Sequence, residues 1–325
     1  MLPRKHWAGV EDAWVLGGPR PAIAIKARQF RYSSWLRGMR IRNHDKGIEL
    51  TDSILFSIEN SYFGDLTSVG VEVTNLGHAA RYIGNTFVRN GRYAMHLRGN
   101  AVVVLNNTFE YTGYDGKTRL RGSDRVLSLT TVDGGFVIAG NYFEENGDGA
   151  TPGRSNIFVT GGGRGGVIEG NFLDAIVLTP AWTAALERNL YLHNVSAVHV
   201  RGNLMKNATT WDVVASGSSD DIMAIGNSTT KPMALPTNAW SRLASNVKRW
   251  TPPRMAAGAQ IITTLRVGGA KYGDAVLVAF DTDLQGIQLT GYVSAPDTVT
   301  VVLRNGTSGP VDLPNGVLRV DLLQH

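Results

Sequence analysis

The sequence predicts an all-β chain: a right-handed parallel β-helix followed by a small antiparallel, jelly-roll-like β-sandwich. Three observations carry this prediction. A Gly-Asn corner recurs through most of the chain, 38 of the 325 residues are glycine, and the final stretch changes to alternating strands joined by hairpin turns. Glycine supplies the positive-φ positions that tight corners need, and a recurring corner marks a stack of similar units.

The repeat is apolar strand, Gly, Asn, then usually a large apolar residue. It is read in Ile83-Gly84-Asn85-Thr86-Phe87, Leu105-Asn106-Asn107-Thr108-Phe109, Ala139-Gly140-Asn141-Tyr142-Phe143, Glu169-Gly170-Asn171-Phe172-Leu173, Arg201-Gly202-Asn203-Leu204-Met205 and Ile225-Gly226-Asn227. Glu59-Asn60-Ser61-Tyr62-Phe63 is a degenerate earlier copy. Successive corners lie 22 to 34 residues apart, about one turn of a β-helix with loops of varying length. One coil cannot bury its own apolar side chains, so coils stack, and an asparagine above an asparagine can donate and accept in a ladder. Asn106, Asn194, Asn207 and Asn305 also fit the glycan-acceptor rule, but no secretory signal accompanies them.

A second strand precedes each corner. Taking its apolar residues as inward gives Ile23 and Ile25, Ile48 and Leu50, Val71 and Val73, Met95 and Leu97, Leu127 and Leu129, Ile157 and Val159, Leu190 and Leu192. Alternation then places Ala24, Glu49, Glu72, His96, Ser128, Phe158 and Tyr191 outward. Two residues further along runs a second outward column, Lys26, Thr51, Thr74, Arg98, Thr130, Thr160 and His193. The longest insertions, Gly113–Asp124, Asn146–Ser155 and Thr179–Arg188, enter just before this strand and should wall the exposed sheet into a groove. Two short stretches, near Ala181–Leu190 and Ala239–Val247, read as helical.

The expected organisation is an entry segment at 1–21, the β-helix at 22–238, a linker at 239–255 and the sandwich at 256–325. Sandwich strands are expected at Gln260–Val267, Asp274–Phe280, Gly286–Val293, Thr298–Leu303 and Val317–Leu322, with turns at Gly268-Gly269, Asn305-Gly306 and Asn315-Gly316. An open β-helix end leaves unpaired edges, so a module that caps or trimerises it has a clear purpose.

The run from Gly273-Asp274-Ala275-Val276 through Thr290-Gly291-Tyr292-Val293 to Leu318-Arg319-Val320 resembles the C-terminal sandwich of many phage tail and prophage β-helix proteins. The Gly-Asn-x-Phe coils resemble the broad pectate-lyase-like family and tailspike bodies. The resemblance implies a homotrimer in a virion tail, acting outside the cell on bacterial surface polysaccharide. No catalytic motif of a lyase family matches, and the chain opens almost directly into coils without a usual virion-attachment domain. The leading expectation is therefore a tailspike-type receptor-binding protein, with depolymerase chemistry, hydrolase or lyase, left open. Its alternatives are a structural or adhesive tail component without turnover and a free-standing polysaccharide lyase.

Composition narrows the chemistry. The absence of cysteine removes disulfides, thiolate nucleophiles and Cys-ligated metals, and no cofactor or metal site is expected. No apolar run reaches the roughly 20 residues of a membrane span, so no membrane insertion is expected. The net charge of +5 is scattered rather than clustered, which argues against nucleic acid and fits an acidic polysaccharide.

Glu49 and Glu72 fall on neighbouring coils, about 4.8 Å apart at the backbone, near the roughly 5–5.5 Å of a retaining carboxylate pair. Two like charges at that distance raise one pKa, which suits a general acid, with His96 as base or substrate contact. His96 and Arg98 on one strand are the nearest base and cation for lyase chemistry. A solvated polar face explains the same residues. Tyr114, Asp115, Phe158, Trp182, Tyr191 and His193 are the expected substrate contacts, the aromatic ones through ring faces suited to sugars. Gly161–Gly166 contains a G-x-G-x-x-G match, but it runs into a strand and reads as a coil corner.

Overall fold

The structure, a computed structural model, describes residues 9–17, 22–113, 125–146, 154–179, 182–236, 239 and 242–324. It divides into two compact units, Met1–Pro236 and Thr237–His325.

The first unit is a parallel β-helix. In one coil, Val69–His78, Arg81–Ile83 and Thr86–Asn90 follow one another round three faces. Each strand pairs in parallel with its counterparts one coil away: Met95 with Val71 and Leu127, Val104 with Tyr82 and Ile138, Phe87 with Phe63 and Phe109. The first and second faces form one 17-stranded sheet, because strands such as Lys46–Glu59 bend through their shared corner unbroken, and the third face is a 9-stranded sheet.

Each coil buries what the repeat predicts. The large residue after the corner points inward, and Phe63, Phe87, Phe109 and Phe143 stack with centroids 4.8, 5.2 and 4.4 Å apart. The corner asparagines form the expected ladder: Asn85, Asn107, Asn141, Asn171 and Asn203 each donate from Nδ2 to Oδ1 of the next, at 2.9–3.0 Å, ending on Asn227. Each Oδ1 also accepts the backbone N–H of the asparagine one coil earlier, so these buried amides leave no lone pair or proton idle. The residue before them sits at positive φ, 66° at Gly84 and 53° at Asn106. Asparagine tolerates this conformation where most side chains do not.

A second polar ladder lies inside the opposite corner. Asn156 donates to Asn189, and Asn189 donates to Asp212, at 2.9 and 2.7 Å. Asp212 ends the series by accepting the backbone N–H groups of Thr230 and Lys231.

Three expectations are corrected. On the first face, Lys26 and not Ala24 stacks on Glu49, because Ile25 pairs with Ile48. Alternation fixes which side chains share a face but leaves a slip of two residues undetermined. The expected helix near Ala181–Leu190 is instead a hairpin, Ile176–Thr179 against Trp182–Ala185, followed by the face strand Arg188–His193. The expected helix near Ala239–Val247, within the expected linker 239–255, is a strand, Arg242–Trp250, antiparallel to Gly316–Gln324 over its whole length. An edge strand seeking a ladder outweighs the helical preference of a few alanines and leucines. On the second face, Ile83, Val103, Leu105, Val137, Ala139 and Val167 form a half-buried aliphatic stripe on the outer side.

The second unit is a sandwich of two three-stranded antiparallel sheets. One holds Arg242–Trp250, Gly316–Gln324 and Ala275–Phe280, the other Gln260–Arg266, Thr298–Asn305 and Ile287–Ala295. Leu265, Val299, Val301, Leu318, Val320 and Leu322 fill the space between them. Asn305, a formal glycan acceptor, is fully buried and bonded to the carbonyls of Met255, Ala256 and Gly309.

Candidate functional site

The first face carries the residues that the sequence singles out. Register brings Lys26, Glu49, Glu72, His96, Ser128, Phe158, Tyr191 and Val214 into one outward column. Beside it, Arg98, Thr130, Thr160, His193 and Ser216 form a second. Tyr114 and Asp115 lie outside the described residues, as does the side chain of Trp182.

The two halves of this face differ. In the N-terminal half the carboxylates are tied down. Lys46 Nζ lies 2.8 Å from Glu49 Oε2 and bonds Glu72 as well. Lys26 Nζ lies 2.8 Å from Glu49 Oε1, and His96 Nδ1 lies 3.5 Å from Glu72 Oε1. The expected raised pKa does not occur. The bond from His96, with those from Lys46, overcomes burial and holds the Glu72 carboxyl down to about 2. Lys26 and Lys46 likewise lower Glu49, which is only 8 % exposed. Two ammonium groups cancel the repulsion that would otherwise keep one proton on the pair, so at neutral pH neither carboxyl has a proton to donate. Lys46 is the residue that sequence reasoning missed. It precedes Glu49 by three positions at the corner and belongs to neither outward column.

In the C-terminal half aromatic rings and arginines meet. The guanidinium carbon of Arg125 lies 3.5 Å from the ring centroid of Phe158, and that of Arg188 lies 4.5 Å from the ring of Tyr191. The rings of Phe158 and Tyr191 lie 5.1 Å apart, and those of Tyr191 and His193 5.9 Å apart. Ser216 Oγ joins the Tyr191 hydroxyl at 2.9 Å to His193 Nδ1 at 3.0 Å. Arg98 is exposed and makes no ion pair among the described residues. Arg125 and Arg188 begin their strands in the parity of inward residues, but at the corner they turn out over the rings.

A further carboxylate pair lies in register on the third face, where Glu110 stacks on Glu144. Burial, with the charges of Glu144 and Glu145, raises the Glu110 carboxyl. This is the shift expected, and not found, at Glu49 and Glu72. Among the described residues, no three His, Cys, Asp or Glu side chains are grouped to hold a metal ion.

No protein-family model matches the chain, and no curated protein matches it. Among solved structures it is similar to the tailspike protein gp49 from Pseudomonas phage LKA1, with TM-score 0.40 and 13 % identity over 97 % of this chain and 67 % of that one. It is also similar to the periplasmic alginate epimerase AlgG, with TM-score 0.41 and 11 % identity over 66 % of this chain and 60 % of that one. The Pseudomonas phage phi297 tailspike gp61 gives TM-score 0.34 and 10 % identity over 89 % of this chain and 66 % of that one. The assignment of a parallel β-helix rests on the strand register itself.

Proposed function

We propose that the chain is a phage or prophage tailspike-type receptor-binding protein, a homotrimer in the virion tail that holds a bacterial surface polysaccharide along the first face. The observation that carries this reading is the C-terminal half of that face. There a parallel sheet presents Arg98, Thr130, Thr160, His193 and Ser216 outward on five successive rungs, with Tyr191 on the same strand as His193, a row of donors and acceptors spaced for a long repeating ligand. Polymer recognition needs such an extended track more than it needs a deep pocket. The ionised state of Glu49 and Glu72 speaks for binding without turnover at that pair. The same state removes the acid that a retaining hydrolase would need there.

Adsorption of the purified chain to a panel of bacterial strains, with binding to surface polysaccharide extracted from each adsorbing strain, tests the proposal. Reducing ends and the absorbance of unsaturated uronates are followed in the same mixtures. Saturable binding is expected, with Glu72→Gln as capable of it as the parent. Failure to adsorb to any strain would overturn the reading.

A further inference from the structure

The rings expected to stack against sugars are already covered. Arg125 lies over Phe158, which is only 5 % exposed, and Arg188 lies over Tyr191. At the other end of the track, Tyr93 stacks on His96 at 4.8 Å and has Arg92 5.7 Å from its centroid. What the face offers a ligand is therefore less the ring than the guanidinium laid upon it. A guanidinium held on an aromatic plane is oriented and partly stripped of water, with its N–H edges left to meet a planar or tetrahedral anion in pairs.

The charge balance of the face points the same way. Glu49 and Glu72 are each bound by a lysine, and Glu187 is bound by Arg188 at 2.8 Å. Arg98 and Arg125 have no acidic partner among the described residues, and Nε of Arg125 has no acceptor at all there. Among the described residues, every carboxylate named on this face is thus spent within the chain, while two guanidiniums are not. In register, Arg125 and Arg188 stand on either side of Ser155, two rungs apart, and Arg98 stands one rung before Arg125 but level with Thr130, five residues further along the strand.

We infer that the ligand is an anionic polysaccharide, its acidic groups taken by Arg98 and Arg125. This rests on the proposed function and names the class of polymer that the first face selects. Thr130, Thr160, His193 and Ser216, in line with Arg98, supply partners for sugar hydroxyls. A polymer with a phosphate at every step would instead call for a continuous basic stripe.

The experiment uses the full chain and surface polysaccharide from a strain to which it adsorbs, in three forms: native, carboxyl-reduced and dephosphorylated. Titration calorimetry is run at low and at raised salt. Affinity for the native polymer is expected to fall at least tenfold when one of the two acidic groups is removed, and the form that fails tells carboxylate from phosphate. Arg98→Gln and Arg125→Gln are each expected to weaken native binding at least fivefold and to weaken binding of the stripped polymer by clearly less. Arg98 is exposed, so its variant keeps the argument testable if Arg125→Gln proves unstable in a thermal melt. Equal affinity for all three forms overturns this inference while polysaccharide recognition survives. Binding to none of them overturns the proposed function itself, and double-stranded DNA competing as strongly as the native polymer overturns both.

Discussion

Asn141 shows how much one side chain can hold. Its Oδ1 accepts both the backbone and the side-chain N–H of Asn107, and its Nδ2 donates to Val104, Ala139 and Asn171. Asn141→Ala strands several buried polar groups at once, at about 1–3 kcal/mol each where no water reaches them. A loss of roughly 3 kcal/mol or more is expected in chemical denaturation, with polysaccharide affinity unchanged for whatever fraction is folded. Glu72 makes the opposite case, a residue whose contribution depends on pH. Its carboxyl lies at about 2 in the folded chain against 4.5 as the ordinary value. A depressed folded value means the unfolded state binds the proton first, so the stabilisation is complete above about pH 4.5 and disappears as pH falls toward 2. The size is on the order of 2–3 kcal/mol. Glu49, lowered by Lys26 and Lys46, acts in the same direction. Thermal melts of the parent and of Glu72→Gln between pH 6 and pH 2.5 should converge as pH falls, and curves that stay parallel would remove the Lys46 bridge from the account.

At the scale of the strand and the corner, what was legible followed from repetition. The Gly-Asn corner, the inward phenylalanines and the outward parity of Glu49, Glu72, His96 and Tyr191 recur coil after coil, and so the sequence pattern reveals them. The alignment of Lys26 with Glu49 was not legible, since period-two alternation is indifferent to a slip of two residues. Nor was the turn of Arg125 and Arg188 onto their rings, since parity fails where a strand leaves a corner. Asn156, Asn189 and Asp212 each directly precede the inward run of their strand, but no glycine marks the position and earlier coils hold Ala94 or Val126 there, so the ladder leaves only a faint trace. The strand Arg242–Trp250 was hidden for a different reason: its partner, Gly316–Gln324, lies near the far end of the chain, so the pairing leaves no local trace. That pairing predicts where the second unit can be cut. A fragment beginning at residue 256 lacks the strand and leaves Gly316–Gln324 without one neighbour, whereas one beginning at 237 keeps both three-stranded sheets. Circular dichroism with melting is expected to show a cooperative transition for residues 237–325 and none for residues 256–325.

Assembly belongs to the whole molecule, and two surfaces compete to explain it. The aliphatic stripe of the second face spans Ile83, Val103, Leu105, Val137, Ala139 and Val167. At about 4.8 Å per rung it measures roughly 20 Å by 10 Å, on the order of 200 Å². A stable interface buries about 800 Å² per partner, so the stripe is too small to hold copies together alone. The second unit is the stronger candidate for holding the proposed homotrimer. The first unit also ends badly by itself, since its last strand, Met233–Ala234, pairs only with Val213 and Val214 and leaves the rest of Trp211–Ser216 without a further partner strand among the described residues. Open parallel edges recruit other chains without regard to stoichiometry. Light scattering is therefore expected to give a trimer for the intact chain, and monomers with aggregates for a chain ended at Pro236. Val137→Glu places a charge at the centre of the stripe on an outward position, and it should leave the trimer intact. A trimer that survives loss of residues 237–325 but dissociates with Val137→Glu would move the interface from the second unit to the second face. A monomeric intact chain would remove the homotrimer, and with it the main structural reason for placing this protein in a virion tail.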